Sequence, residues 1–196
     1  MPEHERADAR ATTDAEVIRG GNMREGAEAH GKYEFVCIGP DGKEKWRDTI
    51  DNVVCTVGKN LMLDTALAGS AYTVVGPYMG LISSVSYGAG PVAGDTMTSH
   101  AGWTEAGGVN APTYTAPRKT CAWSAASAGS KALSAALSYA ITSAGTVKGA
   151  FIVYGTGAVS TIDTTAGTLW SSGLFSGGDK TVGSGDTLNV NYSTSL

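Results

Sequence analysis

The sequence predicts an all-β fold: a jelly-roll-like β-sandwich with one short helix and an extended N-terminal arm. Three observations predict it. Roughly eight runs rich in Val, Thr and aromatic residues recur every 10–20 residues, the spacing of short strands. Glycine is frequent, at 27 of 196 residues, and with Ser and Thr it separates those runs by turn-forming stretches. Only one stretch, residues 61–68 (LMLDTALA), has convincing helical spacing, through Leu61, Asp64, Thr65 and Ala68. No period of 20–50 residues repeats, which argues against a solenoid or propeller.

Residues 1–31 read as an arm. They are polar, Ala-rich and punctuated by Gly, with one short possible helix at residues 14–19 and little apolar surface to offset the entropy of ordering. Residues 32–196 form the predicted sandwich domain. Within it, residues 32–70 make a hairpin plus the short helix, and residues 71–196 supply the main strands.

The first strand is residues 32–38 (KYEFVCI), where Tyr33, Phe35 and Cys37 alternate with polar neighbours. Pro40-Asp41-Gly42-Lys43 then makes a turn, since Pro presets one φ and Gly accepts a positive one. Residues 45–57 complete the hairpin with Trp46, Ile50, Val53 and Val54, and Gly58-Lys59-Asn60 is expected to end it. Beyond the helix, strands are expected at 78–87, 119–125, 133–142, 147–154, 169–175 and 186–192, with a long loop over 88–117. Strand alternation makes Trp46, Leu81, Trp123, Phe151, Ile152, Leu188 and Val190 the core candidates.

Charge is unevenly distributed. Residues 1–60 hold 9 of the 14 basic and 12 of the 18 acidic side chains, leaving 5 and 6 for the other 136 residues. A segment clothed mainly in Ser, Thr, Gly and Ala suits a surface that neighbouring subunits cover, or one selected for being inert. The net charge of −4 gives no general basic footprint for nucleic acid or an anionic membrane surface. No apolar run approaches the ~20 residues of a membrane span, and the charged N-terminus lacks the apolar centre of a signal peptide, so cytosolic synthesis is expected. Cys37, Cys55 and Cys121 are odd in number and widely spaced. They fit neither a disulfide framework nor a zinc site, and are expected to be buried reduced thiols.

Chemistry finds little purchase. A hydrolase base is usually His, and the histidine outside the arm is His100, in Asp95-Thr-Met-Thr-Ser-His-Ala-Gly-Trp-Thr-Glu105. Ser99 beside it is no dyad, because adjacent side chains in extended chain point opposite ways. Asp95, His100 and Glu105 match no metal-ligand spacing. Gly88-Ala89-Gly90 and Gly183-Ser184-Gly185 lack the Gly-Lys-Ser/Thr of a phosphate loop and read as turns. No catalytic, metal or cofactor-binding residue is therefore expected. His100, Trp103 and Glu105 are expected to fix a loop, while Trp103, Tyr114 and Trp123 are the loop aromatics able to stack on a sugar.

Several stretches together carry a resemblance. They are Glu44-Lys45-Trp46-Arg47-Asp48 with Asn52-Val53-Val54 and Gly58-Lys59-Asn60, Tyr78-Met79-Gly80-Leu81-Ile82, and Asp95-Thr96-Met97 with Ser99-His100-Ala101-Gly102-Trp103-Thr104-Glu105. Thr146-Val147-Lys148-Gly149-Ala150-Phe151 and Gly185-Asp186-Thr187-Leu188 follow. In this order they resemble a family of small structural proteins encoded near capsid genes in tailed phages, labelled head decoration, cement or tail-fibre-like. The resemblance covers residues 32–196, and its most specific part is the Ser-His-Ala-Gly-Trp-Thr-Glu run. It implies a non-enzymatic protein of the virion surface that binds the major capsid protein and itself, as a homotrimer or homodimer. A tail-associated fibre or receptor-binding adaptor is the other role it implies.

Overall fold

The computed structural model describes residues 28–67 and 75–196. The expected arm, up to residue 27, and its short helix at 14–19 lie outside the described residues. The chain there opens into β1 (His30–Ile38), which turns into β2 (Glu44–Asp51) as the predicted hairpin. The turn closes as its composition requires. Gly42 has φ +76°, the Gly39 and Gly42 amides donate to the carbonyls of Lys43 and Gly39, and the Asp41 carboxylate accepts the Lys43 amide at 3.1 Å.

The described residues form an all-β sandwich of two antiparallel sheets with one helix. In the first sheet β1 lies between β2 and β12 (Thr187–Ser195), and the far edge of β12 pairs with two short strands, β7 (Ser130–Ala132) and β8 (Leu137–Ala140). The second sheet runs β3 (Val53–Val54), β10 (Thr168–Leu174), β9 (Gly145–Tyr154), β4 (Tyr78–Ser83), β5 (Thr104–Ala106). Two more short strands join it, β6 (Lys119–Thr120) on β4 and β11 (Lys180–Val182) on β9. Most outer strands are only two to four residues long, which leaves little open edge for another chain to pair with.

Strand alternation builds the inter-sheet core. Tyr33, Phe35 and Cys37 of β1 sit opposite Tyr192, Val190 and Leu188 of β12, and all six are buried. They face Met79 and Leu81 of β4 and Ala150 and Ile152 of β9. Aromatic pairs tighten the layer, with Tyr33 and Tyr192 rings 4.5 Å apart and Phe35 edge-on to Phe175 at 4.7 Å. The tyrosine hydroxyls reach polar partners between the sheets. Tyr33 Oη lies 2.6 Å from Ser171 Oγ, and Tyr192 Oη accepts the Trp170 indole N–H at 3.0 Å.

The second sheet is buried on both faces. Its other side presents Ile82, Phe151, Val153 and Leu169, covered by Cys55, Met97, Trp103 and Ala158. Burial of each large side chain there stabilises the fold by about 1.5–3 kcal/mol. The stretch expected as a plain loop over 88–117 therefore forms, with α1 (Thr56–Leu67), a third layer.

Several boundaries differ from the sequence prediction. The run 45–57 is not one strand: it breaks at Asn52, whose amide donates to the Gly31 carbonyl, and β2 and β3 then enter different sheets. The helix starts at Thr56, not Leu61, so Gly58-Lys59-Asn60 lies inside it instead of ending a strand. Its expected last residue, Ala68, lies outside the described residues. Residues 78–87 are strand only to Ser83, and 119–125 only to Thr120. β5, β7 and β11, three residues each, have no alternation to read and were not expected. Of the core candidates, Leu81, Phe151, Ile152, Leu188 and Val190 are buried, whereas Trp46 and Trp123 are half-buried at the rim.

Candidate functional site

Among the described residues, two places offer more than a packed core: the neighbourhood of His100, Trp103 and Glu105, and an apolar groove at one end of the sandwich.

The first begins with a tight turn. The Trp103 amide donates to the His100 carbonyl, and the His100 ring stacks on the Trp103 indole with centroids 4.0 Å apart. His100 Nδ1 lies 3.0 Å from the Trp103 carbonyl oxygen, which can only accept, so that nitrogen carries the proton. Trp103 itself is 2% exposed, its indole N–H donates to Asp95 Oδ2 at 3.0 Å, and its ring packs on Phe151. The same Asp95 oxygen accepts the Val92 amide, so the carboxylate ties both ends of the loop to the indole.

Glu105, two residues on, lies on β5 and is buried against Arg118, whose side chain is fully covered. The pair is bidentate: Arg118 Nε donates to Glu105 Oε1 at 2.7 Å and Nη2 to Oε2 at 2.6 Å. Oε2 also accepts the Asp163 amide, and Arg118 donates further to the Thr164 carbonyl at 2.8 Å and the Val159 carbonyl at 3.3 Å. The guanidinium carbon stands 5.3 Å from the Phe151 ring centre. Burial pushes the Glu105 carboxyl up from its ordinary value, against the pull of Arg118 and the Asp163 amide.

Beside this network lies a cavity of about 210 Å³, reached by His100, Glu105, Asn110, Asp163 and Thr165 among others. His100, Trp103 and Glu105 all border it. Asp95, His100 and Glu105 are not gathered into a ligand set, because each spends its polar atoms on a different partner. Among the described residues no group of three or more His, Cys, Asp or Glu is placed to hold a metal ion. Arg118 and Asp163 were missed by the sequence reading. The one available signal was the Arg118-Lys119 pair after Pro117 in an otherwise nearly uncharged stretch.

The second place is a groove of about 490 Å³ where the sandwich opens between α1 and the ends of β7 and β12. Met62, Ala66, Trp123, Ile152, Tyr154 and Trp170 contribute to walls that are almost wholly carbon. The polar atoms of the lining turn into the protein. Trp170 donates to Tyr192, Tyr154 Oη to the Gly58 carbonyl, Thr65 Oγ1 to the Leu61 carbonyl and Lys131 Nζ to the Ser124 carbonyl. Of the loop aromatics considered for sugar stacking, Trp103 and Tyr114 are buried, at 2% and 3% exposed, and Trp103 borders the smaller cavity. Trp123 alone of the three borders this groove.

Cys37, Cys55 and Cys121 are free and buried. Burial pushes their thiols up, to about 11, about 11 and about 12, which makes them poor nucleophiles. No helix among the described residues is long and apolar enough to cross a membrane. Compared with protein-family models, curated proteins and solved structures, the chain matches none.

Proposed function

We propose that this chain is a non-enzymatic structural protein of a tailed-phage virion, a cement or decoration protein that binds the mature shell and bridges its subunits. One observation supports this reading above the others: the domain consumes its own charges. Of the eleven charged side chains beyond residue 60, all but Asp64 are held in an ion pair or hydrogen bond. Glu105 pairs with Arg118, Asp179 with Lys148 at 2.7 Å, Lys180 with Asp48 at 2.7 Å and Asp186 with Lys45 at 2.6 Å. Lys119 and Lys131 donate to backbone carbonyls, Asp163 accepts the Val109 amide, and Asp95 holds Trp103.

A surface made of small neutral side chains loses little hydration when another protein covers it, because few ions must be stripped of water. Repetition over a lattice turns a modest contact into a large total, with no chemistry required. Preference for the matured lattice then stabilises that lattice by mass action. Self-association as a trimer or dimer would match the local symmetry of such a shell. The test is stoichiometry: the chain is quantified against the major capsid protein in purified particles. Near parity is expected. A few to a few tens of copies per particle would overturn the cement role and favour a tail-associated adaptor.

A further inference from the structure

We propose that the small cavity beside Glu105 binds an organic cation, an ammonium or guanidinium group carried on a short apolar stem. The inference stands apart from the virion reading and fails or holds on its own test. The recess measures about 210 Å³, and every residue that lines it lies among the described residues. It is smaller than the ~300–1,000 Å³ of sites for drug-sized molecules, so it suits a single small group.

The class of ligand follows from which polar atoms are already used. Arg118 spends all five of its N–H donors inside the protein, on both Glu105 oxygens, on the carbonyl and hydroxyl of Thr164 and on the Val159 carbonyl. That pairing cancels the charge of Glu105, whose Oε2 also takes the Asp163 amide. Three side chains bordering the cavity keep an acceptor to spare. His100 carries its proton on Nδ1, against the Trp103 carbonyl, so Nε2 has a lone pair. Asn110 gives its Nδ2 to the Glu105 carbonyl, which leaves Oδ1. Asp163 holds the Val109 amide through Oδ2, which leaves Oδ1 and a negative charge that no cation offsets among the described residues. An anion would meet lone pairs only, and a neutral donor would leave that charge unanswered. A positively charged donor satisfies both. Met97, Val109 and Phe151 supply carbon walls along which an alkyl stem can lie.

The experiment titrates the full-length protein with n-butylammonium chloride, and with n-butanol as its neutral analogue, at low ionic strength. The His100 imidazole and Asn110 side-chain amide resonances report occupancy by NMR. The ammonium is expected to bind in the low millimolar range, and the alcohol at least about tenfold more weakly. Asp163→Asn keeps an oxygen for the Val109 amide but removes the charge. It should weaken the ammonium at least about tenfold with little change in melting temperature. His100→Phe keeps a ring on Trp103 without the lone pair and should weaken binding as well. Equal affinity for amine and alcohol overturns the inference, and so does an Asp163→Asn variant that binds the amine like the parent. Resonances unmoved by the amine overturn it too. Nα-acetyl-lysine amide then separates the sources: binding beside n-butylammonium supports a basic side chain of a partner protein as the occupant, and its exclusion supports a free amine.

Discussion

Trp103 holds more than its own volume. Its indole fills the layer over Phe151, stacks on His100 and donates to the half-buried Asp95, so truncation opens a cavity and removes the tie between the indole and the loop. Trp103→Ala should cost about 3–5 kcal/mol in a denaturant titration, whereas His100→Ala, on the half-buried outer side of the stack, should cost less than half of that. Equal losses would mean that the loop, not the indole, is the stabilising unit. The Glu105–Arg118 pair behaves differently, because its two members depend on each other. Removing either alone leaves a buried charge unpaired and should cost about 3–5 kcal/mol, while the double replacement by apolar residues of similar size should recover much of it. A double-mutant cycle measures the coupling directly. Asp186 adds a pH term. Burial works against its ionised form, but the Gly183 amide, Lys45 and Cys37 together outweigh that, and its carboxyl lies below the ordinary value. Its contribution is therefore complete above the unfolded value of ~3.9 and is lost as pH falls from there through the depressed folded value. Asp186→Asn should flatten the acid limb of the stability curve below about pH 4; an unchanged limb would show that Asp186 is not its source.

At the scale of the element, α1 shows how packing overrides local preference. Gly58 is its one buried residue, and a Cβ there would lie 2.9 Å from the Trp170 Cα and carbonyl oxygen. Helix propensity alone would make Gly58→Ala stabilising by about 1 kcal/mol. The clash with backbone is expected to cost about 1–3 kcal/mol and to win, so the variant should melt lower than the parent. A higher melting temperature would mean that α1 moves off β10 without penalty. The same glycine explains why the helix start was misread. Gly58-Lys59-Asn60 looks like a terminator in sequence, since Gly weakens helices, and the reason it is tolerated lies on β10, more than a hundred residues away. β1, β4, β9, β10 and β12 were legible because each carries a full run of alternating or continuous apolar residues. Three-residue strands such as β5 carry no period, and their pairing depends on the neighbour they meet. Of the candidate site, the histidine and tryptophan could be singled out as rare residues in a neutral stretch. The partnership of Glu105 with Arg118 and Asp163 is a product of long-range topology and has no local signature. The order of the strands within each sheet is not encoded in strand spacing either.

For the whole molecule, the internal use of charge decides how the protein should respond to salt. Exposed ion pairs and steered encounters weaken as ionic strength rises, since the screening length falls from ~10 Å at 0.1 M to ~3 Å at 1 M. Burial of neutral surface does not weaken in that way. The sandwich domain has its basic groups beyond residue 60 already committed to Glu105, Asp179, Asp48 and backbone carbonyls, leaving little for a partner to pair with. If that domain makes the contact with the shell, the amount of protein on purified particles should be nearly the same after washing at low salt and at 1 M salt. Loss by salt washing would shift the contact to residues 1–60, where 9 of the basic and 12 of the acidic side chains are concentrated. That stretch includes β1 and β2, so the charged hairpin end of the first sheet, and not the neutral surface built by the later strands, would then be the part that holds the protein to the particle.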